Sequence, residues 1–347
     1  MLILAEGRFS PMMSKTANGA IAYLPDEVVV VVDSLQAGRT AQQVLGYGGA
    51  IPVVVSIDAG MQHAPDTMLI GIAPAGGRLP QVWRDYIITA LRHGLHIVSG
   101  LHTFLGDDEE FRRLAREHGC TIADLRKPKE ESLRVSKGNW KTRKAKTVLA
   151  VGTDCRIGKM TTILEMHKVL RERKIDSDFI ATGQTGIVIA GRGVSVDAVI
   201  GDYIAGSIEH EIDLSDAEGH ELIMVEGQGA LTHQGYSSVT LGLMHGTMPD
   251  AMILCHQPAR LKDDYGQPLP DLNAAIRLHE EVITFFRPTR VVGIGINSVG
   301  LTQEESAAAC NAIEQQTGLP TVDAFKDGGS KLVDALMTYL RGTNTAG

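Results

Sequence analysis

The residues from 148 to 162, VLAVGTDCRIGKMTT, carry the clearest chemical signal in the chain. An apolar stretch ends at Gly152, a short loop follows, and a helix is predicted to begin near Lys159. Gly152 and Gly158 permit backbone angles that side chains disfavour, so the N–H groups of the loop can converge on an anion. The helix N-terminus adds partial positive charge, and the lysine adds a full one. This pattern predicts a phosphate-binding loop made of Gly152, Thr153, Asp154, Cys155, Gly158, Lys159, Met160, Thr161 and Thr162.

The loop differs from the common nucleotide-binding loop in two respects. Five residues separate Gly152 from Gly158 instead of four, and Met160 follows the lysine where a hydroxyl normally holds Mg²⁺. A thioether is a poor ligand for a hard cation. Thr161 and Thr162 project about 100° and 200° further round a regular helix. The loop therefore suits a pyrophosphate, and no metal is expected.

Glu226 is the first candidate for a catalytic base, with Lys159 as the cation of the same site. It follows the apolar run LIMV, so its carboxylate should lie at the carboxyl edge of a sheet beside the loop. The alternative is a structural acid that pairs with the lysine. His245, in the loop-like stretch LMHGTMPD, is the second candidate, because a neutral imidazole accepts protons near pH 7. His233 and His256 are weaker candidates, and the spacing of the three histidines matches no short metal motif.

Elements that alternate between strand and helix must position these groups. Such βαβ alternation implies parallel sheets with right-handed crossovers. In the first half, strands are predicted at 27–33, 51–57, 67–73 and 96–101, with helices near 34–45, 80–93 and 108–118. In the second half, strands are predicted at 147–152, 178–182, 221–226, 251–256, 291–297 and 321–325, with helices at 159–174, 197–211, 272–286, 303–317 and 330–340.

A basic stretch interrupts the alternation between residues 126 and 146, where nine Lys or Arg accompany two Glu. We interpret it as an interdomain linker that is either simply solvated or able to reach a polyphosphate ligand. The predicted fold class is α/β. A Rossmann-like parallel-sheet domain spans 1–130, a basic linker spans 131–146, and an α/β domain of the P-loop NTPase type spans 147–347.

Composition narrows the choice of partners and compartment. The 347 residues are 44% hydrophobic and carry a formal charge of −8, which argues against nucleic acid. No apolar run approaches the roughly 18 residues that a membrane span needs. The four cysteines are scattered without a CxxC pair, as expected of a reducing, cytoplasmic compartment. The expected partners are a small-molecule substrate and further copies of the same chain.

Two resemblances become visible at this point. The GTD start of the loop and the segment VEGQGAL at 225–231 resemble dethiobiotin synthetase, a P-loop enzyme, within the second domain alone. A wider set of motifs covers nearly the whole chain and resembles one family, long catalogued as a domain of unknown function and now associated with D-glutamate N-acetyltransferases. These motifs are GRFSPMMSKTANG, IGIAPAGGRLP, SGLHTFL, GTDCRIGKMTT, ATGQTGIVIAG, VEGQGALTH, GLMHG and LCHQPAR.

The wider resemblance implies acetyl transfer from acetyl-CoA to the amine of D-glutamate. CoA carries a pyrophosphate and needs no metal to release its acetyl group, which agrees with the loop. The two substrate carboxylates then need cations or clustered N–H donors. Candidates that follow or neighbour predicted strand ends are Arg8, Lys15, Gln184, Thr185 and Arg260, with the turn at Gly76 and Gly77.

Two other activities stay open at the level of sequence. One is a Mg·ATP-dependent ligase or kinase like dethiobiotin synthetase, which Lys159 and Glu226 favour and Met160 disfavours. The other is a nucleotide-binding regulatory protein without turnover.

Overall fold

The computed structural model describes residues 1–72 and 79–344 and places their strands in two six-stranded parallel sheets. The chain forms two compact units. The first comprises Met1–Pro128 and Gly183–Ala198, and the second comprises Lys129–Thr182 and Val199–Gly347. The α/β class is thereby confirmed.

The sheet of the first unit has the strand order β3-β2-β1-β4-β5-β6, the order of dinucleotide-binding Rossmann folds. Its central strands are apolar on both faces, so helices must cover both sides. The elements are β1 Leu2–Leu4, α1 Lys15–Tyr23, β2 Val30–Val32, α2 Ala41–Leu45, β3 Val53–Val54, α3 Ile57–Gly60, β4 Thr67–Ile70, α4 Gln81–Arg92, β5 His96–Ser99, α5 Glu109–His118, β6 Ile122–Asp124 and, from the later segment, α7 Gln184–Ala190.

The sheet of the second unit has the order β12-β11-β10-β7-β9-β8, with the strand that precedes the glycine loop in an interior position. The elements are β7 Lys146–Gly152, α6 Lys159–Glu172, β8 Ser177–Ile180, α8 Ile204–Ala217, β9 Leu222–Val225, α9 Ser237–Thr247, β10 Ala251–His256, α10 Leu272–Thr284, β11 Arg290–Ile296, α11 Gln303–Thr317, β12 Thr321–Val322, α12 Ala324–Asp327 and α13 Ser330–Asn344. Within the described ranges, no helix has the length and apolar character that crossing a membrane requires.

The structure differs from the sequence prediction where tertiary contacts outweigh local pattern. The helices α1, α7 and α9 were not predicted, and the helix expected over 197–211 begins only at Ile204, after two short 3₁₀ turns. Glycines and β-branched residues in these segments lower helix propensity, so packing decides their conformation.

The segment Gly183–Ala198 follows β8 of the second sheet in sequence but belongs to the first compact unit. Its helix α7 packs on α1. Arg126, which is 7% exposed, donates from Nε to the carbonyl of Gly100 at 2.6 Å and from Nη2 to Oε1 of Gln184 at 2.9 Å. The same guanidinium pairs with Asp197. The first unit therefore contains a piece of chain that sequence order assigned to the second.

The basic stretch is not a solvated linker, because it packs on α8. Glu209 of that helix is 1% exposed. Its Oε1 accepts hydrogen bonds from Ser136 Oγ at 3.0 Å and from the Asn139 N–H at 2.8 Å. Its Oε2 accepts one from the Lys137 N–H at 2.6 Å. A buried carboxylate is tolerable only with such donors, so the stretch from Lys129 onward is part of the folded second unit.

Close backbone contact and buried cations complete this packing. A Cβ at Gly206 of α8 would lie 1.8 Å from the carbonyl oxygen of Arg134, so only glycine allows the approach. The side chain of Arg143 is 3% exposed and donates to the carbonyl of Thr247 at 2.9 Å. Burial lowers the pKa of Arg143, against the raising effect of nearby carboxylates such as Asp213. This arginine is therefore not free to reach a polyphosphate.

We predict that Glu209→Gln destabilises the protein by about 1–3 kcal/mol, because an amide donor replaces one of the acceptor oxygens that face backbone N–H groups. Glu172→Gln on α6, where the side chain is exposed, should change stability by less than about 0.5 kcal/mol. Denaturant unfolding measures both. Equal stabilities for the two variants would contradict the packing role of Glu209.

Candidate functional site

The loop after β7 presents unpaired N–H groups at the start of a long helix. Arg156 and Gly158 have φ angles of 54° and 99°, which is left-handed backbone. The N–H groups of Arg156, Ile157 and Gly158 have no hydrogen-bond partner among the described residues. They precede α6, a helix of 14 residues that begins at Lys159. Such a nest at a helix N-terminus is suited to binding an anion, and anion binding by this loop stays a prediction.

Lys159 reaches the loop through a narrow passage between two glycines. A Cβ at Gly152 would lie 3.3 Å from Cδ of the lysine, and a Cβ at Gly227 would lie 3.0 Å from it and 1.7 Å from the carbonyl oxygen of Ala150. The lysine is 5% exposed, and its Nζ donates to the carbonyl oxygen of Asp154 at 2.6 Å. The ammonium is therefore held inside the loop, beside the unpaired N–H groups.

Glu226 lies directly after β9, the strand next to β7, and is 1% exposed. Its Oε2 accepts the N–H of Thr182 at 2.9 Å, and its Oε1 accepts Nε2 of Gln228 at 3.2 Å. The Thr182 hydroxyl also donates to the Glu226 carbonyl at 3.0 Å. These bonds fix the carboxylate at the carboxyl edge of the sheet, the edge at which the loop begins. The position agrees with the sequence prediction, and catalysis by Glu226 stays a prediction.

Asp154 is a fully buried carboxylate at the start of the loop. Its Oδ1 accepts the N–H of Cys155 at 2.7 Å. The Nε atom of Arg260 lies 2.8 Å from Oδ2 in an ion pair, but no N–H points at this oxygen, and Oδ2 receives no hydrogen bond among the described residues. Asp154 belongs to the predicted loop, but the sequence does not reveal this ion pair because Arg260 is distant in sequence.

Arg260 has several internal partners, and its predicted role as a ligand of a substrate carboxylate stays a prediction. Besides its ion pair with Asp154, it donates from Nη1 to the carbonyl of Cys155 at 3.1 Å and from Nη2 to Asp264 at 2.8 Å. Arg156 also donates to Asp264, at 2.6 Å. Arg260 therefore links the chain that follows β10 to the loop that follows β7.

Thr153 and His256 stabilise the other side of the loop. The Thr153 hydroxyl lies 2.9 Å from Nδ1 of His256, and the Thr153 N–H donates to the carbonyl of Cys255 at 3.1 Å. Burial lowers the pKa of His256 to about 4, so the ring stays neutral at pH 7. Burial also raises the pKa of the Cys155 thiol, which argues against a reactive thiolate in the loop.

The residues after Lys159 offer no evident magnesium ligand. Met160 is 7% exposed and takes the position where a hydroxyl would bind the metal. Thr162 is 3% exposed, and its Oγ1 would lie 2.7 Å from a Cβ at Gly295, so it is packed between α6 and β11. Thr161 is half-buried on a different side of the helix. Neither threonine therefore occupies the position directly after Lys159, where the hydroxyl that binds magnesium normally stands.

His245 is not brought to the loop. It lies in the last turn of α9, not in a loop, with its ring 5.3 Å from that of Phe286 in an edge-to-face arrangement. Helix α9 runs back from the carboxyl edge of the sheet and ends just before β10 begins at Ala251. The histidine is therefore at the amino edge, opposite the loop. Burial lowers the pKa of His245, with no carboxylate contributing to the shift.

Asp154, Cys155 and His233 could be mistaken for a metal centre, since their ligand atoms lie within 4.8 Å of one another. His233 Nδ1 accepts the N–H of Gly235 at 3.2 Å, so the neutral ring carries its proton on Nε2 and has no lone pair there for a metal. The guanidinium of Arg260 also neutralises the carboxylate. The cluster is better suited to hydrogen bonding than to metal binding.

Four of the predicted substrate ligands lie in the first unit. Gln184 accepts from Arg126 at 2.9 Å, and the hydroxyls of Thr185 and Thr16 lie 2.9 Å apart, so both predicted ligands have internal structural partners. Arg8 and Lys15 have exposed side chains. The predicted turn at Gly76 and Gly77 lies outside the described residues.

Dinucleotide-binding folds place a free acid after the second strand, and in the first unit the acid at this position has backbone partners. Asp33, which is 1% exposed, occupies that position. Its Oδ2 accepts the N–H groups of Phe9 at 2.7 Å and Arg8 at 3.1 Å, and its Oδ1 accepts that of Leu35 at 2.8 Å. Because its oxygens serve the backbone, this acid is not available to bind a ribose.

Comparison with known proteins gives consistent matches across the chain. A family described as "Domain of unknown function (DUF1611_C) P-loop domain" matches residues 134–333, and its companion "DUF1611_N Rossmann-like domain" matches residues 34–128. A protein of Tritonibacter scottomollicae named D-glutamate N-acetyltransferase is 42% identical over 276 residues, which are 78% of this chain and 80% of the relative. A Pseudoalteromonas protein of the same name is 38% identical over 271 residues, 77% of this chain and 80% of the relative.

A solved structure extends the comparison to the fold. The crystal structure of a DUF1611 family protein from Anabaena variabilis matches with a TM-score of 0.92 and 34% identity. The match covers 97% of this chain and 98% of the other.

We predict that Lys159→Ala weakens binding of inorganic pyrophosphate by about 1.5–3 kcal/mol, the scale of one charge-assisted hydrogen bond. Lys168→Ala, on the exposed face of the same helix, is the control and should leave the affinity unchanged. Isothermal calorimetry measures both variants. An unchanged affinity of Lys159→Ala would place the anion elsewhere.

Proposed function

The chain belongs to the DUF1611 family and is an enzyme of the N-acetyltransferase type, and we propose that it transfers the acetyl group of acetyl-CoA to the amine of D-glutamate. One structural observation carries the proposal: an anion-binding loop with a buried lysine lies beside a fixed buried carboxylate, and no metal ligand stands after that lysine. The names of the two relatives support the reaction and the acceptor.

The proposed donor suits the loop because CoA carries a pyrophosphate. The N–H groups of Arg156, Ile157 and Gly158 can each donate to a phosphate oxygen. Lys159 Nζ donates to the carbonyl of Asp154 at 2.6 Å and can exchange this neutral acceptor for an anionic one. Such hydrogen bonds to a charged acceptor are roughly twice as strong as neutral ones.

Acetyl transfer from a thioester explains the absence of a hydroxyl after the lysine. Phosphoryl transfer from ATP relies on Mg²⁺ to neutralise developing charge, and a threonine or serine at the position of Met160 is the usual ligand. Transfer of an acetyl group generates a smaller charge on one oxygen, which N–H donors and a lysine can stabilise. The proposed reaction therefore uses the N–H donors and the lysine of the loop, and it does not need a hydroxyl that holds Mg²⁺.

In the proposed reaction, Glu226 accepts a proton from the substrate ammonium, which frees the nitrogen lone pair. The amine attacks the thioester carbonyl carbon, and a C–N bond forms as the C–S bond breaks. The thiolate leaves and takes up the second proton that the attacking nitrogen loses, and Glu226 releases the first to solvent, so the products are an N-acetyl amino acid and the free thiol of CoA. Thr182 and Gln228 each donate a hydrogen bond to the carboxylate and thereby orient it for proton transfer.

The two carboxylates of the proposed acceptor need cations. Arg8 and Lys15 stay predictions for this role; both are exposed residues of the first unit, without an ion pair among the described residues. Arg260, Gln184 and Thr185 also stay predictions, but each has a partner within its own unit and would have to exchange that contact for the substrate.

We predict that Glu226→Gln lowers kcat by roughly 10²–10⁴-fold with little change in acetyl-CoA affinity, since the amide keeps the shape but cannot accept the proton. Glu221→Gln, at the exposed start of the same strand region, is the matched control. His245→Gln should also leave kcat nearly unchanged, because His245 lies at the opposite edge of the sheet. Thiol release from acetyl-CoA with D-glutamate as acceptor provides the assay. Loss of activity in His245→Gln with an active Glu226→Gln would reverse the assignment.

We also predict that excess EDTA leaves the rate of thiol release unchanged. The same incubation with D-glutamate and Mg·ATP, analysed for ADP, tests the alternative of an ATP-dependent ligase or kinase. ADP formation that EDTA abolishes and Mg²⁺ restores would contradict the proposed function. Ligand binding without either product would identify a regulatory protein instead.

A further inference from the structure

His233 is a buried side chain whose backbone is firmly fixed. The residue is 1% exposed, and its N–H donates to the carbonyl of Ala230 at 3.1 Å. Its own carbonyl accepts the N–H groups of Tyr236 and Ser237 at the start of α9. The ring lies between those of Tyr236 and Tyr265, at centroid distances of 4.9 and 5.3 Å. The imidazole therefore has a defined position beside the loop.

One nitrogen of this ring is satisfied and the other is not. Nδ1 accepts the N–H of Gly235, so the proton of the neutral ring is on Nε2. Nε2 has no hydrogen-bond partner among the described residues and lies 3.9 Å from Oδ1 of Asp154. Burying a donor without a partner is costly, so a partner in another state of the protein is the natural explanation.

Oδ1 of Asp154 is at present occupied by the N–H of Cys155, at 2.7 Å. That N–H belongs to the same loop whose next three N–H groups are unpaired. An anion in the loop would draw the Cys155 N–H away from the aspartate, because it offers negative charge near the helix N-terminus. The aspartate would then lose its only directed hydrogen bond to the loop backbone.

We propose that His233 is a positioning residue that supplies a replacement for this hydrogen bond. When a phosphate group binds, the Cys155 N–H turns to the anion. The His233 Nε2–H then moves about 1 Å and donates to Asp154. After the exchange, the buried carboxylate of Asp154 still accepts a hydrogen bond, and Nε2 of His233 has an acceptor. It makes anion binding depend on a histidine that does not touch the anion. The inference rests on the proposed function, since it assigns the loop to the pyrophosphate of the donor.

Three variants of the full chain test the exchange, with inorganic pyrophosphate as the probe and calorimetry as the measurement. His233→Phe keeps a ring between the two tyrosines but has no donor. It should weaken pyrophosphate binding by roughly 10- to 100-fold, the scale of one hydrogen bond to a charged group. His233→Gln can place an N–H near the position of Nε2 and should restore most of the affinity. In an Asp154→Asn background, His233→Phe should have little further effect, because the carboxylate acceptor is gone.

A second measurement does not depend on variants that fold well. In the wild-type protein labelled with ¹⁵N, the His233 ring should have its proton on Nε2, and that proton should move downfield when pyrophosphate is added. A ring protonated on Nδ1, an unshifted proton, or equal affinities of His233→Phe and wild type would each overturn the proposal.

The pyrophosphate-binding measurement and the acetyl-transfer assay test the two proposals independently. If the wild type binds pyrophosphate with the expected dependence on His233 but releases no thiol from acetyl-CoA, the exchange stands and the proposed function falls. If it binds no pyrophosphate, the exchange is overturned whatever the acetyl-transfer assay shows.

Discussion

Burying the ammonium of Lys159 is the constraint on which the rest of the site depends. A lysine that is 5% exposed must have acceptors close by, and the carbonyl of Asp154 is one of them. Its aliphatic chain needs a passage, which exists because positions 152 and 227 carry no side chain. At Gly227 even a methyl group would collide with the backbone of β7. The glycines therefore bring β9, with Glu226 at its end, into the immediate surroundings of the lysine.

The charges around the loop are arranged so that an anion completes them. Asp154 and Glu226 are buried carboxylates, but the first is paired with Arg260 and the second is held by donors from Thr182 and Gln228. Their negative charge is thus compensated locally, while the N–H groups of Arg156 to Gly158 face no acceptor among the described residues. An enzyme that binds its donor by a pyrophosphate needs this balance, since uncompensated carboxylates would repel the donor.

The first unit has a familiar fold in which the acid after the second strand is committed to the backbone. It has the strand order of dinucleotide-binding domains, but Asp33 is committed to the N–H groups of the loop after β1. It also recruits the segment Gly183–Ala198, whose Gln184 and Thr185 bond to Arg126 and Thr16. Fold alone would have suggested a cofactor site here, while the hydrogen bonds of the acid argue against it.

Sequence by itself determined the features that neighbouring residues encode. The alternation of apolar strands with helices fixed the α/β class, and the glycines with Lys159 fixed the anion loop, because backbone angles and helix polarity depend on residues only a few positions apart. The position of Glu226 at the carboxyl edge followed from the end of its strand. The polar partners were decided only by the tertiary structure. Arg260 bonds to the carbonyl of Cys155, 105 positions away, and Glu209 to the backbone of Lys137, 72 positions away.

Sequence could not foresee these pairings because a long charged side chain can reach many acceptors, and the fold alone selects one. The same reason explains why the internal partners of Arg260 and Gln184 could not be predicted. His245 was misplaced for a different reason: the residues around it have low helix propensity, and only packing on α8 and β7 makes α9 a helix that carries it to the far edge of the sheet.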